Sequence, residues 1–325
     1  MIWLIFLIIL SLFFLIEIVV RIQFSRCTSK VCLIGKTAVI TGGSSGIGFQ
    51  TALDLACRGC KVIIADKNVS DDIRERLVSE SRNPQIYLEF VDLASLNSVR
   101  KLAERLKESE EKVDILINNA GVGNMADMLT EDGLNSIYQI NYYGSFLLTH
   151  LLVDLLKKSP SGRIIFTSSL LSYFNNFFPN DVKNGQIKEK MRFFDYPNSK
   201  LMQIVASDIF AKKLNKFNIT SNAYHPGVVK TPIVSQITAF LKKPSKIFQY
   251  YLLNILVTLF GKTPEQGAQT TIHLAVSKDV EGVTGKFFGE TTPSLKPRLT
   301  DSKKFCEGIW AASEKNVKLK PEEKL

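Results

Sequence analysis

The feature that most constrains this chain is a repeated alternation that begins near Lys36. Short runs of apolar, largely β-branched residues recur, with stretches of helical periodicity between them. KTAVIT (36–41), KVIIAD (61–66), QIYLEFVD (85–92), VDILINN (113–119), RIIFT (163–167), ITSNAY (219–224) and GKFF (285–288) are those runs. Strands apolar along their whole length must be covered on both faces. The pattern therefore predicts an α/β fold, a doubly wound parallel seven-stranded sheet with helices on both faces. A length of 325 residues with 45% hydrophobic and 22% charged residues suits one such domain and excludes both a disordered chain and a multi-pass membrane protein.

TGGSSGIG (Thr41–Gly48) lies between the first strand and the first helix. Glycines at that place let a backbone turn approach a pyrophosphate, which the helix N-terminus then stabilises. Asp66 ends the second strand, 66 − 48 = 18 residues beyond the last glycine. A carboxylate there accepts ribose hydroxyls and repels a 2′-phosphate, favouring NAD over NADP, whereas the adjacent Lys67 would favour the opposite. Asp92 ends the third strand, where an adenine amino group would lie; both aspartates also fit helix or turn caps.

Tyr196-Pro-Asn-Ser-Lys200 places a phenol and an amine four residues apart, on one helix face. A neighbouring ammonium favours the phenolate, so the pair is expected to lower the tyrosine's ordinary value near 10 and make it an acid–base catalyst.

These motifs, with NNAG (Asn118–Gly121), Asn141 in INYYG, Ser168-Ser169 after RIIFT, and HPGVVKT (His225–Thr231), come in the order of the short-chain dehydrogenases/reductases. The chain resembles that family from about Gly35 to Glu290. The resemblance implies a Rossmann-type fold, an NAD(P)(H) cofactor and the catalytic set Asn141, Ser169, Tyr196 and Lys200. Tyr196 would be the acid–base, Lys200 its partner and a ligand of the nicotinamide ribose, Ser169 the group orienting the substrate oxygen. Asn141 would hold the water of a proton relay to Lys200. Implied cofactor contacts are Gly42, Ser44, Ser45, Gly46, Ile47, Gly48, Asp66, Lys67, Asp92, Leu93, Asn119, Ala120, Gly121, Tyr196, Lys200, Pro226, Gly227, Val229 and Thr231.

A long insertion separates Ser169 from Tyr196 by 196 − 169 = 27 residues. With phrases such as DLASLNSVRKLAERL and KTPEQGAQT, it resembles the membrane-bound retinol dehydrogenases of the 11-to-14 type. A lipophilic alcohol or carbonyl, retinol or retinal first, is the implied substrate. A steroid or fatty alcohol on the same scaffold, or a catalytically idle nucleotide-binding module, are the alternatives. Asp66 departs from that branch, and Lys67 stands where it carries an arginine that binds a 2′-phosphate.

Residues 1–20 are strongly apolar with Glu17 as their single charge, and twenty helical residues rise about 30 Å, one hydrocarbon thickness. They are expected to be an uncleaved anchor, followed by a basic juxtamembrane linker (21–35), a single domain (36–313) and a flexible tail (314–325). Arg21, Arg26, Lys30 and Lys36 after the span place the domain in the cytosol, at the endoplasmic reticulum or, with a one-leaflet hairpin, on a lipid droplet. Residues 232–261 are expected to be a substrate flap, with Lys242, Lys243 and Lys246 against anionic lipid and Leu241, Phe248, Tyr251 and Leu252 facing lipid or substrate; the alternative for these apolar residues is core or a homodimer interface. The net charge of +10 carries no basic run of the nucleic-acid kind, and five scattered cysteines with three histidines offer neither a disulfide framework nor a metal site.

Overall fold

The computed structural model describes residues 3, 24–123, 129–183, 186–187, 192–238 and 247–325. The sheet strands are β1 (Thr37–Thr41), β2 (Lys61–Asp66), β3 (Ile86–Phe90), β4 (Ile115–Asn118), β5 (Gly162–Thr167), β8 (Ile219–His225), β9 (Phe287–Gly289) and β10 (Thr292–Ser294); β6 (Val182–Lys183) and β7 (Gln186–Ile187) form a separate hairpin. The order across the sheet is β10-β9-β8-β5-β4-β1-β2-β3. Every pairing is parallel except β9 with β10.

The seven expected runs are thus the seven parallel strands. The eighth strand is a correction. It turns back at Glu290 and Thr291, both left-handed at φ 50° and 63°, and TPS is too short and polar to read as a strand.

Helices α1 (Gly46–Cys57), α2 (Asp71–Ser81), α3 (Leu96–Ser109), α4 (Gly144–Lys157), α5 (Asp195–Leu214), α6 (Pro232–Thr238), α7 (Ile247–Phe260), α8 (Pro264–Val276) and α9 (Lys303–Asn316) complete the described architecture. Two apolar clusters fill the two sides of the sheet. One joins Val39, Leu116 and Phe166 to α3, α4 and α5; the other joins Ile40, Ile64 and Ile117 to α1 and α8. Because side chains alternate along a strand, neighbouring residues such as Val39 and Ile40 serve opposite layers. The sequence pattern predicts a helix across 131–158. It begins only at Ser136 and passes through a π turn at Gln139–Tyr143, which carries Asn141, before α4.

The C-terminal tail is the second correction. Val317 is wholly buried and Leu319 is 8% exposed, both in the cluster beneath α3 and α4. Arg100 pairs with Glu323, and Lys324 with Glu314 at 3.1 Å. A composition of mostly charged residues suggests a solvated tail, but two well-spaced apolar side chains and matched charges are enough to dock it. The linker is likewise attached over its described part: Leu33 is buried, its N–H reaches the Arg58 carbonyl at 2.8 Å, and the Cys27 N–H reaches Gln269 Oε1 at 3.0 Å.

The expected anchor lies outside the described residues apart from Trp3, as do Leu241, Lys242, Lys243, Lys246 and the Phe248 side chain. Among the described residues no helix is long and apolar enough to cross a membrane.

Candidate active site

The glycine turn is shaped by what a side chain would strike. Gly42 has φ +66°, and a Cβ on it would stand 2.8 Å from Ala120 Cα. A Cβ on Gly48 would stand 2.2 Å from the Gly42 carbonyl oxygen and 2.6 Å from Asn119 Nδ2. Asn119 ties the turn to the end of β4, its Nδ2 donating to the carbonyls of Thr41 (2.9 Å) and Gly42 (3.0 Å). Thr41 Oγ1 accepts the N–H groups of Asn119 and Ala120. Backbone therefore lies flush on backbone. Ser45 caps α1 without a side-chain hydrogen bond, and no acidic residue occupies its first turn. That is the electrostatic arrangement a pyrophosphate requires. The Thr231 methyl lies 3.6 Å from the Cβ position of Gly46, so the 226–231 loop, turning at Gly227 (φ +79°), reaches the glycine turn from the far side. Gln236 of α6 accepts the Gly123 N–H at 2.8 Å.

The acidic ends of β2 and β3 fall beside this turn. Asp66 Oδ2 accepts from the Ser44 hydroxyl (2.6 Å) and the Ser44 N–H (3.1 Å). The Lys67 ammonium pairs with Asp92 at 2.6 Å, while the other Asp92 oxygen caps the Ala94 N–H at 2.9 Å. Leu93 is buried against Gly144, where a Cβ would come within 3.0 Å of it.

At the C-terminal ends of β4 and β5, the π turn, the 3-10 turn after β5 and helix α5 bring Asn141, Ser169, Tyr196 and Lys200 together. Ser169 caps a short 3-10 turn, accepting the Leu171 N–H at 3.1 Å, and its hydroxyl lies near enough to that of Tyr196 to bear on the phenol's proton affinity. Lys200 lies one helical turn on from Tyr196, its Nζ 5.6 Å from the ring centre. It donates to the Thr167 carbonyl at 2.8 Å and to Gln203 Oε1 at 3.3 Å. Asn141 Oδ1 accepts the Val122 N–H (2.7 Å), and its Nδ2 donates to the Val122 carbonyl (3.0 Å) and Ser199 Oγ (3.1 Å). The Asn141 backbone carbonyl accepts from Gln203 Nε2 at 2.6 Å. Gln203, Ser199 and Thr167 belong to this network and are not among the expected site residues, although Ser199 and Thr167 lie inside the quoted motifs. The available signal is positional: Gln203 is three residues past Lys200 on the same helix face.

Burial changes the expected electrostatics. It pushes the Tyr196 phenol up to about 12, opposed by the Ser169 hydroxyl, and pushes Lys200 down to about 7. The expected acidification of Tyr196 by its neighbour is reversed here, because neither charged form is well solvated in this site. The site presents a protonated phenol beside an amine balanced near neutrality.

A family model described as short chain dehydrogenase matches residues 36–180. Retinol dehydrogenase 13 of Mus musculus is 36% identical over 299 residues, covering 90% of this chain and 87% of the relative. Retinol dehydrogenase 14 of Homo sapiens is 36% identical over 302 residues, covering 88% and 87%. Among solved structures, a protein of Mycobacterium paratuberculosis matches with a TM-score of 0.68 at 25% identity, covering 90% of this chain and 97% of that one. A short chain dehydrogenase of Shigella flexneri, complexed with NADP, shares the fold with a TM-score of 0.62 at 22% identity, over 81% of this chain and 100% of that one.

Proposed function

Because the chain belongs to the short-chain dehydrogenases/reductases and is an NAD(P)-dependent oxidoreductase acting on alcohol groups, we propose that it interconverts a lipophilic alcohol and its carbonyl, with retinol and retinal the foremost pair. The observation that carries the substrate class is the apolar rim directly after Ser169. Leu170 (37%), Tyr173 (39%), Phe174 (67%) and Phe178 (66%) stand exposed on the insertion. Aromatic and aliphatic side chains held in water on the segment that begins beside Ser169 suit an apolar substrate.

In this reading the glycine turn, the α1 N-terminus and the 226–231 loop would hold a dinucleotide, which when bound would supply or accept the hydride. Tyr196 donates its proton to the carbonyl oxygen during reduction, which the raised phenol suits because the proton is present at neutral pH. Ser169 orients that oxygen alongside Tyr196. In the oxidative direction Lys200 must take up a proton, so that its charge stabilises the phenolate. NAD is the preferred cofactor: Asp66 stands at the glycine turn where a 2′-phosphate would meet its charge, and the Lys67 ammonium is engaged by Asp92.

The reading includes an anchor in residues 1–20 and a cytosolic domain at the endoplasmic reticulum or a lipid droplet. Its support is the docking of the segment that follows. Ser25 donates to Glu290 through N–H (3.2 Å) and Oγ (3.3 Å), and the Phe24 ring lies 5.0 Å from Lys262 Nζ. Lys262 directly follows Gly261 at the end of α7, and its N–H bonds the Val228 carbonyl at 2.9 Å. The chain thus leaves the domain close to both the cofactor loop and α7, on which Tyr251 and Ile255 are exposed.

Purified protein is assayed with NADH and NADPH against all-trans-retinal, a 3-ketosteroid and a long-chain aldehyde. Retinal turnover at the highest kcat/KM is expected. No cofactor consumption with any apolar carbonyl would leave an idle nucleotide-binding module. In cells, a glycosidase-sensitive mobility shift from the sequons at Asn68 or Asn218 would put the domain in the lumen.

A further inference from the structure

An ammonium has three donors, and two of those on Lys200 are committed within the protein, to the Thr167 carbonyl at 2.8 Å and to Gln203 Oε1 at 3.3 Å. Gln203 completes a bridge by donating to the Asn141 backbone carbonyl at 2.6 Å. Lys200 is 2% exposed, and Gln203 and Asn141 not at all. Both ends of the Asn141 side chain are engaged by Val122 and Ser199, and its backbone carbonyl, through Gln203, is its hydrogen-bonded link towards Lys200. On that line the family resemblance implies a relay water. Here a carboxamide occupies it.

A water accepts, donates and exchanges protons. A primary amide accepts and donates at the same two ends, but it does not titrate. We infer that Gln203 is a positioning residue for Lys200: its amide takes the place of a relay water, accepts from the ammonium and closes the Asn141 side to proton exchange. One Lys200 donor is left for the crevice. Protons released at Tyr196 and Lys200 then exchange through the crevice and not past Asn141. Gln203 also favours the charged amine against the burial that opposes it, and with it the phenolate needed for alcohol oxidation.

The inference rests on Tyr196 and Lys200 being the proton-transfer pair, and one arm of its test is independent of that. Gln203→Met keeps length and removes the acceptor; Gln203→Glu keeps the acceptor and adds charge. The first readout is melting temperature against pH for the cofactor-free protein. Burial holds Lys200 at about 7 against an ordinary value of 10.5. Between those values the unfolded chain binds the extra proton, so stability rises with pH across the window. In Gln203→Met that rise starts about one pH unit lower, and in Gln203→Glu about one unit higher, the shift for one charge-assisted hydrogen bond. The second readout is the alkaline limb of kcat for carbonyl reduction, which moves in the same two directions while KM for the carbonyl stays within about twofold.

Two variants that shift the same way, or neither, overturn the inference, since a packing role predicts a uniform loss. Shifts in the stability curves with a stationary kcat limb would overturn the catalytic half and the assignment of Lys200 with it. If Gln203→Met does not fold, Gln203→Asn, whose amide falls one methylene short, is expected to shift in the Met direction.

Discussion

The sharpest test of the cofactor cradle is Gly48→Ala. The added methyl would stand 2.2 Å from the Gly42 carbonyl oxygen and 2.6 Å from Asn119 Nδ2. Neither neighbour is a loose end. Gly42 is backbone at φ +66°, itself set against Ala120, and Asn119 is held by two carbonyls. Relief therefore requires the turn to part from the end of β4. Overpacking of this kind costs about 1–3 kcal/mol. Losing one of the two Asn119 hydrogen bonds adds about 1 kcal/mol, for a total of roughly 2–4 kcal/mol. In a domain of this size that lowers the melting temperature by roughly 3–7 °C.

The same displacement moves the amides meant for the pyrophosphate. A lost contribution of about 2 kcal/mol raises the cofactor Kd roughly thirtyfold. Differential scanning fluorimetry without cofactor and titration calorimetry with NADH and NADPH measure the two effects separately. A Gly48→Ala protein that melts like the wild type and binds both dinucleotides within twofold would refute the account of the turn.

Tyr196→Phe is expected to lower kcat by about 10²–10⁴ and to leave cofactor affinity nearly unchanged, as fluorescence titration would show; lost cofactor binding would contradict the role given to the phenol. The same variant bears on pH stability. With the folded phenol at about 12 and its ordinary value at 10.0, the native state keeps a proton that the unfolded chain loses, so stability falls as pH rises through that interval, and Phe flattens the fall. Asp66→Ala should move the NADP-over-NAD ratio of kcat/KM upward by about tenfold to a hundredfold through loss of like-charge repulsion; an unchanged ratio means the carboxylate serves only to cap Ser44. Deleting residues 317–325 removes buried Val317 and Leu319 and should cost about 2–4 kcal/mol in urea unfolding, whereas an unchanged midpoint would restore the flexible tail.

The parallel strands are legible because apolar, mostly β-branched residues recur in each, most densely in β1, β4 and β5 at the centre of the sheet, where nearly every residue is buried, while the edge strand β3 carries Glu89 and exposes Tyr87 and Phe90. The glycine turn was legible for a related reason. Gly42, Gly46 and Gly48 mark places where the chain comes too close to itself for any side chain, a local demand written in local residues. Tyr196 and Lys200 were legible as neighbours, since four residues in a helix bring them to one face. β10 was not legible, because its three residues owe their strand state to the β9 edge beside them. The tail is illegible for the opposite reason: its composition is that of a solvated segment, and only the surface it meets makes Val317 and Leu319 core residues.

The amino-acid sequence by itself determined which groups stand in the site, the order in which the strands and helices carry them, and the glycines that open a path for a dinucleotide. The tertiary structure decided their state. Burial reversed the direction expected for the Tyr196 phenol, Asp92 engaged the Lys67 charge, and Gln203 came to lie between Lys200 and Asn141. Spacing along a chain records which atoms can meet, but the energy of a charge depends on all that surrounds it in three dimensions, and that environment comes from segments far apart in the sequence.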